Sequence, residues 1–231
     1  MKTIGLIGGM SWESSAEYYR LINEAVREKL GGLHSAKCIL YSVDFAAIEM
    51  MQQQGRWEEA AQALITAAHS LEQAGADFLI LCTNTMHKVA EAIQKNIHIP
   101  FMHIADATAQ KIREQGLQRV GLLGTRFTME EDFYKNRLVE GYDLEVIIPE
   151  VQSRRLVNQV IYDELCLGVI RAESKAHFVR IVNQLVQKGA EGVILGCTEI
   201  GLLLLPEDCQ VPVFDTTRIH ALRAVDYALQ E

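Results

Sequence analysis

The stretch Gly192-Val193-Ile194-Leu195-Gly196-Cys197-Thr198-Glu199 reads as an apolar strand that runs straight into a cysteine. Small and polar residues able to open a helix follow it. A strand this apolar is buried on both faces, so the cysteine stands at its carboxyl end. Backbone N–H groups and a helix dipole there favour a thiolate over a thiol, although a cysteine behind a buried strand also serves as a small core residue. The arrangement has a second copy. Gly75-Ala76-Asp77-Phe78-Leu79-Ile80-Leu81-Cys82-Thr83-Asn84-Thr85 aligns with the stretch from Gly189 to Glu199 at an offset of 114 (189 minus 75), which sets Thr83 opposite Cys197. Ile4-Gly5-Leu6-Ile7-Gly8 resembles Val120-Gly121-Leu122-Leu123-Gly124 at 116 (121 minus 5), and Ile99-Pro100-Phe101 resembles Val211-Pro212-Val213 at 112 (212 minus 100). The helical stretches after each Pro segment also fall in register. Four segments in one order indicate an internal duplication. Two halves related by a pseudo-twofold would bring positions 83 and 197 to face each other across a cleft.

The 231 residues suit two modest α/β domains, and the 49% apolar fraction is enough for real cores. A net charge of −8 without a basic tract argues against nucleic-acid binding. A soluble cytoplasmic protein is the default expectation. Met1-Lys2-Thr3 leads directly into a strand-like run ending at Gly8-Gly9, which does not read as a secretory leader. No apolar run approaches the length that spans a bilayer. The cysteines, at 38, 82, 166, 197 and 209, are odd in number and form no C-x-x-C pair. That usage fits a reducing compartment, without a disulfide framework or a zinc site.

Apolar runs alternate with helical periodicity along the chain. Strands are predicted at 2–7, 37–43, up to Leu81, 99–103, 119–124, 144–148, 192–196 and 211–214. Helices are predicted from the Gly8-Gly9-Met10-Ser11 loop to about Leu30, capped by Ser11 or Ser14, then up to Gln73, 86–95, 106–115, up to Glu140, 153–168, 173–188 and from about Thr217. Neither nucleotide fingerprint fits the glycine-rich loop, which can still offer N–H groups to a carboxylate. This order indicates an α/β protein of two pseudo-symmetric domains, each a mostly parallel sheet flanked by helices, with the active site in the cleft between them. The first domain is expected over 1–115 and the second over 116–216, with helix 217–231 packing back on the first. Ligands bind beyond the carboxyl ends of strands in such sheets, the edge where all these loops fall.

Two proton-transfer groups facing one substrate from opposite sides suit inversion at a carbon acid. One removes the α-proton and the other returns a proton on the far face. Racemisation at Cα often recruits pyridoxal phosphate as an electron sink. No phosphate loop with a Schiff-base lysine is evident, so a cofactor-free route is expected.

Gly8-Gly9-Met10-Ser11-Trp12-Glu13-Ser14, Cys82-Thr83-Asn84-Thr85-Met86-His87 and Gly196-Cys197-Thr198-Glu199 together resemble the aspartate/glutamate racemase family. The resemblance spans essentially the whole chain. It implies a cofactor-independent racemase of aspartate or glutamate, a small-molecule amino-acid substrate, two pseudo-symmetric domains and commonly a homodimer. The family's first motif normally reads Cys-Asn-Thr, whereas here Thr83 holds the cysteine's place and Cys82 precedes it. Successive residues of an extended segment point to opposite sides, so Cys82 is expected to face the core and Thr83 the cleft. Cys197 is then the thiol base, paired with a hydroxyl that is a far poorer base.

Asn84, Thr85 and Thr198 either cap helices or bind a substrate carboxylate, and one N–H-rich turn can do both. Glu199 reads as a first-turn dipole partner or a substrate contact. Met10 and Gln52 line the cleft by resemblance, Met being otherwise ordinary core filler. Thr125, the second-half equivalent of Gly9, suits the substrate carboxylate. Arg126, Lys175 and Arg218 are candidates for the side-chain carboxylate or are solvated surface charges. His87 reads as structural, and Cys38, Cys166 and Cys209 as inert. A malonate-type decarboxylase of the same superfamily and a non-catalytic amino-acid-binding module are the competing readings. The purified protein should show no pyridoxal absorbance and should keep its activity after hydroxylamine or EDTA; activity restored only by pyridoxal phosphate or a metal would refute the cofactor-free route.

Overall fold

The computed structural model describes residues 1–230. The strands β1 (Ile4–Gly8), β2 (Cys38–Ser42), β3 (Phe78–Leu81) and β4 (Phe101–Met102) form a four-stranded sheet in the order β2-β1-β3-β4. The strands β5 (Arg119–Gly124), β6 (Glu145–Ile147), β7 (Gly192–Gly196) and β8 (Val213–Asp215) form a second in the order β6-β5-β7-β8. All pairings in both sheets are parallel. The same strand order in both sheets is the duplication written in three dimensions, and the fold is α/β as expected. The chain divides into two compact units. One is Met1–Ile104 together with the chain from His220, and the other is Ala105–Ile219.

In the first unit, side-chain alternation along the strands sorts the core into two layers. Ile7, Leu79 and Leu81 pack against α2 (Phe45–Gln53) and α3 (Trp57–Gln73) through Ile48, Leu64 and Leu71. Ile4, Leu6, Phe78 and Ile80 face the other way, onto Tyr18, Leu21, Ile22 and Val26 of α1 (Trp12–Leu30) and Ala221, Ala224 and Val225 of α11 (Thr216–Leu229). Burying each large side chain contributes about 1.5–3 kcal/mol. Cys82 continues the parity of Phe78 and Ile80 and is wholly buried in this second layer. In the second unit, Leu123, Val193 and Leu195 pack against Val157 and Ile161 of α8 (Val151–Asp163) and Phe178, Ile181 and Leu185 of α9 (Ala172–Gln187). Gly124 and Gly196 lie opposite each other in the β5–β7 ladder, and a Cβ on Gly196 would meet the Leu123 carbonyl at 2.9 Å.

Several elements differ from the periodicity. The Met/Gln-rich segment from Glu49 to Gly55, which the periodicity leaves as a lead-in to the helix ending at Gln73, is largely helical (α2), and Asp44 caps that helix by accepting a hydrogen bond from the Ala46 N–H. The helix expected up to Glu140 is two, α6 (Arg126–Glu130) and α7 (Asp132–Tyr142), separated by Glu131 in an extended conformation. The helix expected at 86–95 begins as a tight 3₁₀ turn over Thr85–Val89, continued by α4 (Ala90–Gln94), and the helix expected at 106–115 is α5 (Ile104–Glu114).

Ser11 caps α1 by accepting from the Ser14 N–H. Gly9, just before it, has φ +94°, and a Cβ there would meet the Val43 carbonyl oxygen at 2.3 Å. Only glycine fits both the backbone angle and the space. Gly9→Ala should lower the unfolding free energy by roughly 2 kcal/mol or more in urea titration; an unchanged midpoint would show that the turn relaxes freely.

Candidate active site

The loops at the carboxyl ends of β1 and β3 carry the first set of expected residues. The Gly9 N–H donates to Ser15 Oγ (2.7 Å), and Ser15 Oγ donates in turn to the Ser11 carbonyl (3.0 Å). The expectation that this loop offers its N–H groups to a carboxylate therefore fails at Gly9, whose amide is consumed inside the turn. Ser14 Oγ reaches across to the Cys82 carbonyl (3.1 Å) and ties the two loops together. Met10 is buried in the α2–α3 layer. Gln52 is buried as well, its Nε2 donating to Met86 Sδ at 3.0 Å. Asn84 and Thr85 are buried at the start of the 3₁₀ turn.

Cys82 and Thr83 have opposite environments. Burial pushes the Cys82 thiol far up from its ordinary value, so it stays protonated and enclosed. Thr83 is half-buried, and its hydroxyl makes no hydrogen bond to another described residue. Its carbonyl accepts from the His87 ring at 2.7 Å.

The second set lies at the carboxyl ends of β5, β7 and β8. Thr125 caps α6, its Oγ1 accepting from the Thr128 N–H (3.3 Å). Thr198 Oγ1 accepts from Thr217 Oγ1 (2.8 Å), and Thr216 Oγ1 donates to the Leu195 carbonyl (2.8 Å). Cys197 is half-buried and directly follows β7. Its Sγ donates to Glu199 Oε2 at 2.9 Å, and the Glu199 carboxylate is itself buried.

This contact overturns the expected thiolate. Burial, then the negative charge of Glu199, then the neighbouring Cys166 raise the Cys197 thiol well above its ordinary value. The helix that follows, α10 (Ile200–Leu203), has only four residues, too short a dipole to oppose a buried carboxylate in contact with the sulfur. The resting state is a thiol whose proton already points at an acceptor. Spacing did not reveal that Glu199 would turn back onto the sulfur two residues earlier. Nor did it place Cys166 near it or bring Thr217 to Thr198; a hydroxyl pair at the ends of β7 and β8 was the available signal.

The basic candidates are dispersed. Lys175 is ion-paired with Asp208 (2.7 Å). Arg218 is exposed. Arg126 is exposed and lines a cavity of about 350 Å³ with Glu130, Arg154, Arg155 and Asn158.

A model of the Asp/Glu/hydantoin racemase family matches residues 7–224. The chain belongs to that family. A candidate Asp/Glu racemase from Yersinia pestis, solved as a crystal structure, is 56% identical, covers 100% of both chains and superposes with a TM-score of 0.94. An aspartate racemase homologue from Pyrococcus horikoshii OT3 is 38% identical over 100% of both chains, with a TM-score of 0.87. The broad specificity amino-acid racemase RacX of Bacillus subtilis (strain 168) is 27% identical over 163 residues, 69% of this chain and 68% of that protein. Family and relatives together support an amino-acid racemase. No helix among the described residues of this racemase-family chain is long and apolar enough to cross a membrane.

The electrostatics of the Cys197–Glu199 pair make a signed prediction. Glu199→Gln removes one of the influences that raise the thiol, so the thiolate should form at lower pH. Iodoacetamide should then alkylate Cys197 faster at pH 8. Unchanged alkylation would show that burial alone holds the thiol up.

Proposed function

We propose that this chain racemises an acidic amino acid, aspartate or glutamate, without a cofactor, with Cys197 as the thiol base and Thr83 in the place of the usual first cysteine. The observation that carries the reading is the hydrogen bond from Cys197 Sγ to the buried Glu199 carboxylate. Glu199 takes the thiol proton, and the thiolate takes the α-proton of one enantiomer. The electron pair left on Cα delocalises into the substrate carboxylate, for which Asn84, Thr85, Thr125 and Thr198 are the proposed partners. The opposite face is reprotonated from the Thr83 hydroxyl, which regains its proton from solvent while Glu199 releases to solvent the proton it took, so both groups return to their starting states. Met10 and Gln52 complete the proposed binding set. Aspartate or glutamate as substrate is supported by likeness to the Yersinia and Pyrococcus proteins.

Two further parts of the reading concern assembly and location. A homodimer is supported by exposed Leu40 and Tyr41 on edge strand β2 and by Trp12 and Tyr19 on α1, which leave apolar surface for a second copy to cover. A cytoplasmic location is supported by five free cysteines.

The hydroxyl at position 83 makes the reading asymmetric. Each unit of pKa mismatch in a proton transfer costs about 1.4 kcal/mol, so the enantiomer presenting its proton to Cys197 is deprotonated much faster than the other. Proton NMR of L- and D-aspartate and glutamate in D₂O tests this. Wild type should exchange the α-proton of one enantiomer faster by orders of magnitude, Cys197→Ser should abolish exchange with the fold intact, and Thr83→Cys should make the two enantiomers more alike. Equal wild-type rates would remove the asymmetry. Collapse in Cys82→Ala would make Cys82 the second base, and carbon dioxide release from a malonate-type acid would favour a decarboxylase.

A further inference from the structure

Beyond Leu81 the strand ladder ends, and the last sheet-like contact is the Cys82 N–H donating to the Ile7 carbonyl at 2.9 Å. Thr83 is the first residue past that contact. The carbonyl of Thr83 is held by a side chain: His87, four residues on and buried, brings Nδ1 to 2.7 Å. The other ring nitrogen, Nε2, stands 3.1 Å from the backbone N–H of Ile104. A carbonyl can only accept and an amide N–H can only donate, so Nδ1 carries the proton and Nε2 is bare. The ring is a neutral imidazole in one tautomer.

Its packing allows little freedom. Phe101, His103 and His220 meet the His87 ring edge-on at centroid distances of 5.8, 4.3 and 6.1 Å. His220 is fixed in turn, its Nε2–H donating to the Met102 carbonyl (3.0 Å) and its Nδ1 accepting from the Tyr18 hydroxyl (2.9 Å). Among the described residues the Cys197 carbonyl at the second sheet has a backbone partner instead. The residue equivalent to His87 at the 114-residue offset is Gly201, and the Cys197 carbonyl accepts from the backbone N–H of Ile200 (3.1 Å). Of the two equivalent carbonyls, that of Thr83 is thus held by a side chain and that of Cys197 by a backbone N–H.

We propose that His87 is a positioning residue for inversion: by gripping the Thr83 carbonyl from a ring locked against Ile104, it sets the peptide plane of Thr83 and so the aim of its hydroxyl. This rests on the roles proposed for Thr83 and Cys197. Exchange of an α-proton with retention requires only Cys197, whereas inversion requires a proton from the Thr83 side. His87 therefore governs the ratio of inversion to exchange rather than the rate of both.

Two substitutions separate the ring's two bonds. In His87→Asn the amide nitrogen falls near Nδ1 and can still donate to Thr83, while the Ile104 contact is lost. In His87→Gln the terminal oxygen reaches the position of Nε2 and can accept from Ile104, while the Thr83 contact is lost. Incubation of each enantiomer in D₂O, followed by proton NMR and chiral chromatography, gives exchange with retention and inversion separately. His87→Gln should keep exchange on the Cys197 side within about threefold of wild type and lose inversion by roughly ten- to a hundredfold, as for a misplaced reacting group. His87→Asn should keep inversion within about threefold. Equal loss of exchange and inversion in His87→Gln, or inversion as poor in His87→Asn, overturns the proposal in favour of a purely structural histidine. Should His87→Gln not fold, His87→Asn decides by the same measure. Thr83→Ala locates a failure: if it still inverts, the role of Thr83 is at fault, and if it does not while His87→Gln does, the anchor is.

Discussion

Parallel strands buried on both faces have one place to present polar side chains, the turns just beyond their carboxyl ends. The buried apolar side chains of β1, β3, β5 and β7 fill the strand flanks, and Thr83, Asn84, Thr125, Cys197, Thr198 and Glu199 all fall in those turns. The same constraint explains why both loops spend so many hydrogen bonds on themselves. Ser11, Ser14 and Ser15 in one unit, and Thr198, Thr216 and Thr217 in the other, satisfy backbone and hydroxyl groups that lie past the ladder yet remain buried. A buried polar group without a partner would cost roughly 1–3 kcal/mol.

Strand alternation also decides which of two adjacent residues can be chemical. Cys82 keeps step with Phe78 and Ile80 and goes into the α1–α11 layer, where its thiol is inert. Thr83 is one step out of phase and partly open. A one-residue displacement of a cysteine therefore turns it into core filler, and the repeat's other copy, with Cys197 directly after β7, keeps the partly open phase.

At Cys197 two influences of opposite sign compete. A helix start favours the thiolate by up to about 1 kcal/mol at exposed sites, but here the helix is a single short turn. Desolvation and a carboxylate hydrogen-bonded to the sulfur act the other way and win. The outcome suits proton transfer. In the proposed reaction, a thiol hydrogen-bonded to a buried carboxylate has a base in place at the moment the substrate needs one, and the charge is confined to a group shielded from water.

The sequence by itself determined the α/β class, the duplication, the central strands and the parity that hides Cys82, because these rest on periodicity and repetition, which are local and additive along the chain. It also brought Thr83 and Cys197 to equivalent positions, since the offset between copies is a property of the letters. The split of one expected helix into α6 and α7 and the 3₁₀ turn after Thr83 were not legible, because no glycine or proline marks either place. Nor was the chemistry of the neighbours. Glu199 turns back onto Cys197 two residues away, and His87 spans from Thr83 to an amide 17 residues further on. Only the tertiary structure decided those, because the direction of a hydrogen bond and the loss of water around it depend on where folded segments come to rest, and that is what turns an expected thiolate into a thiol.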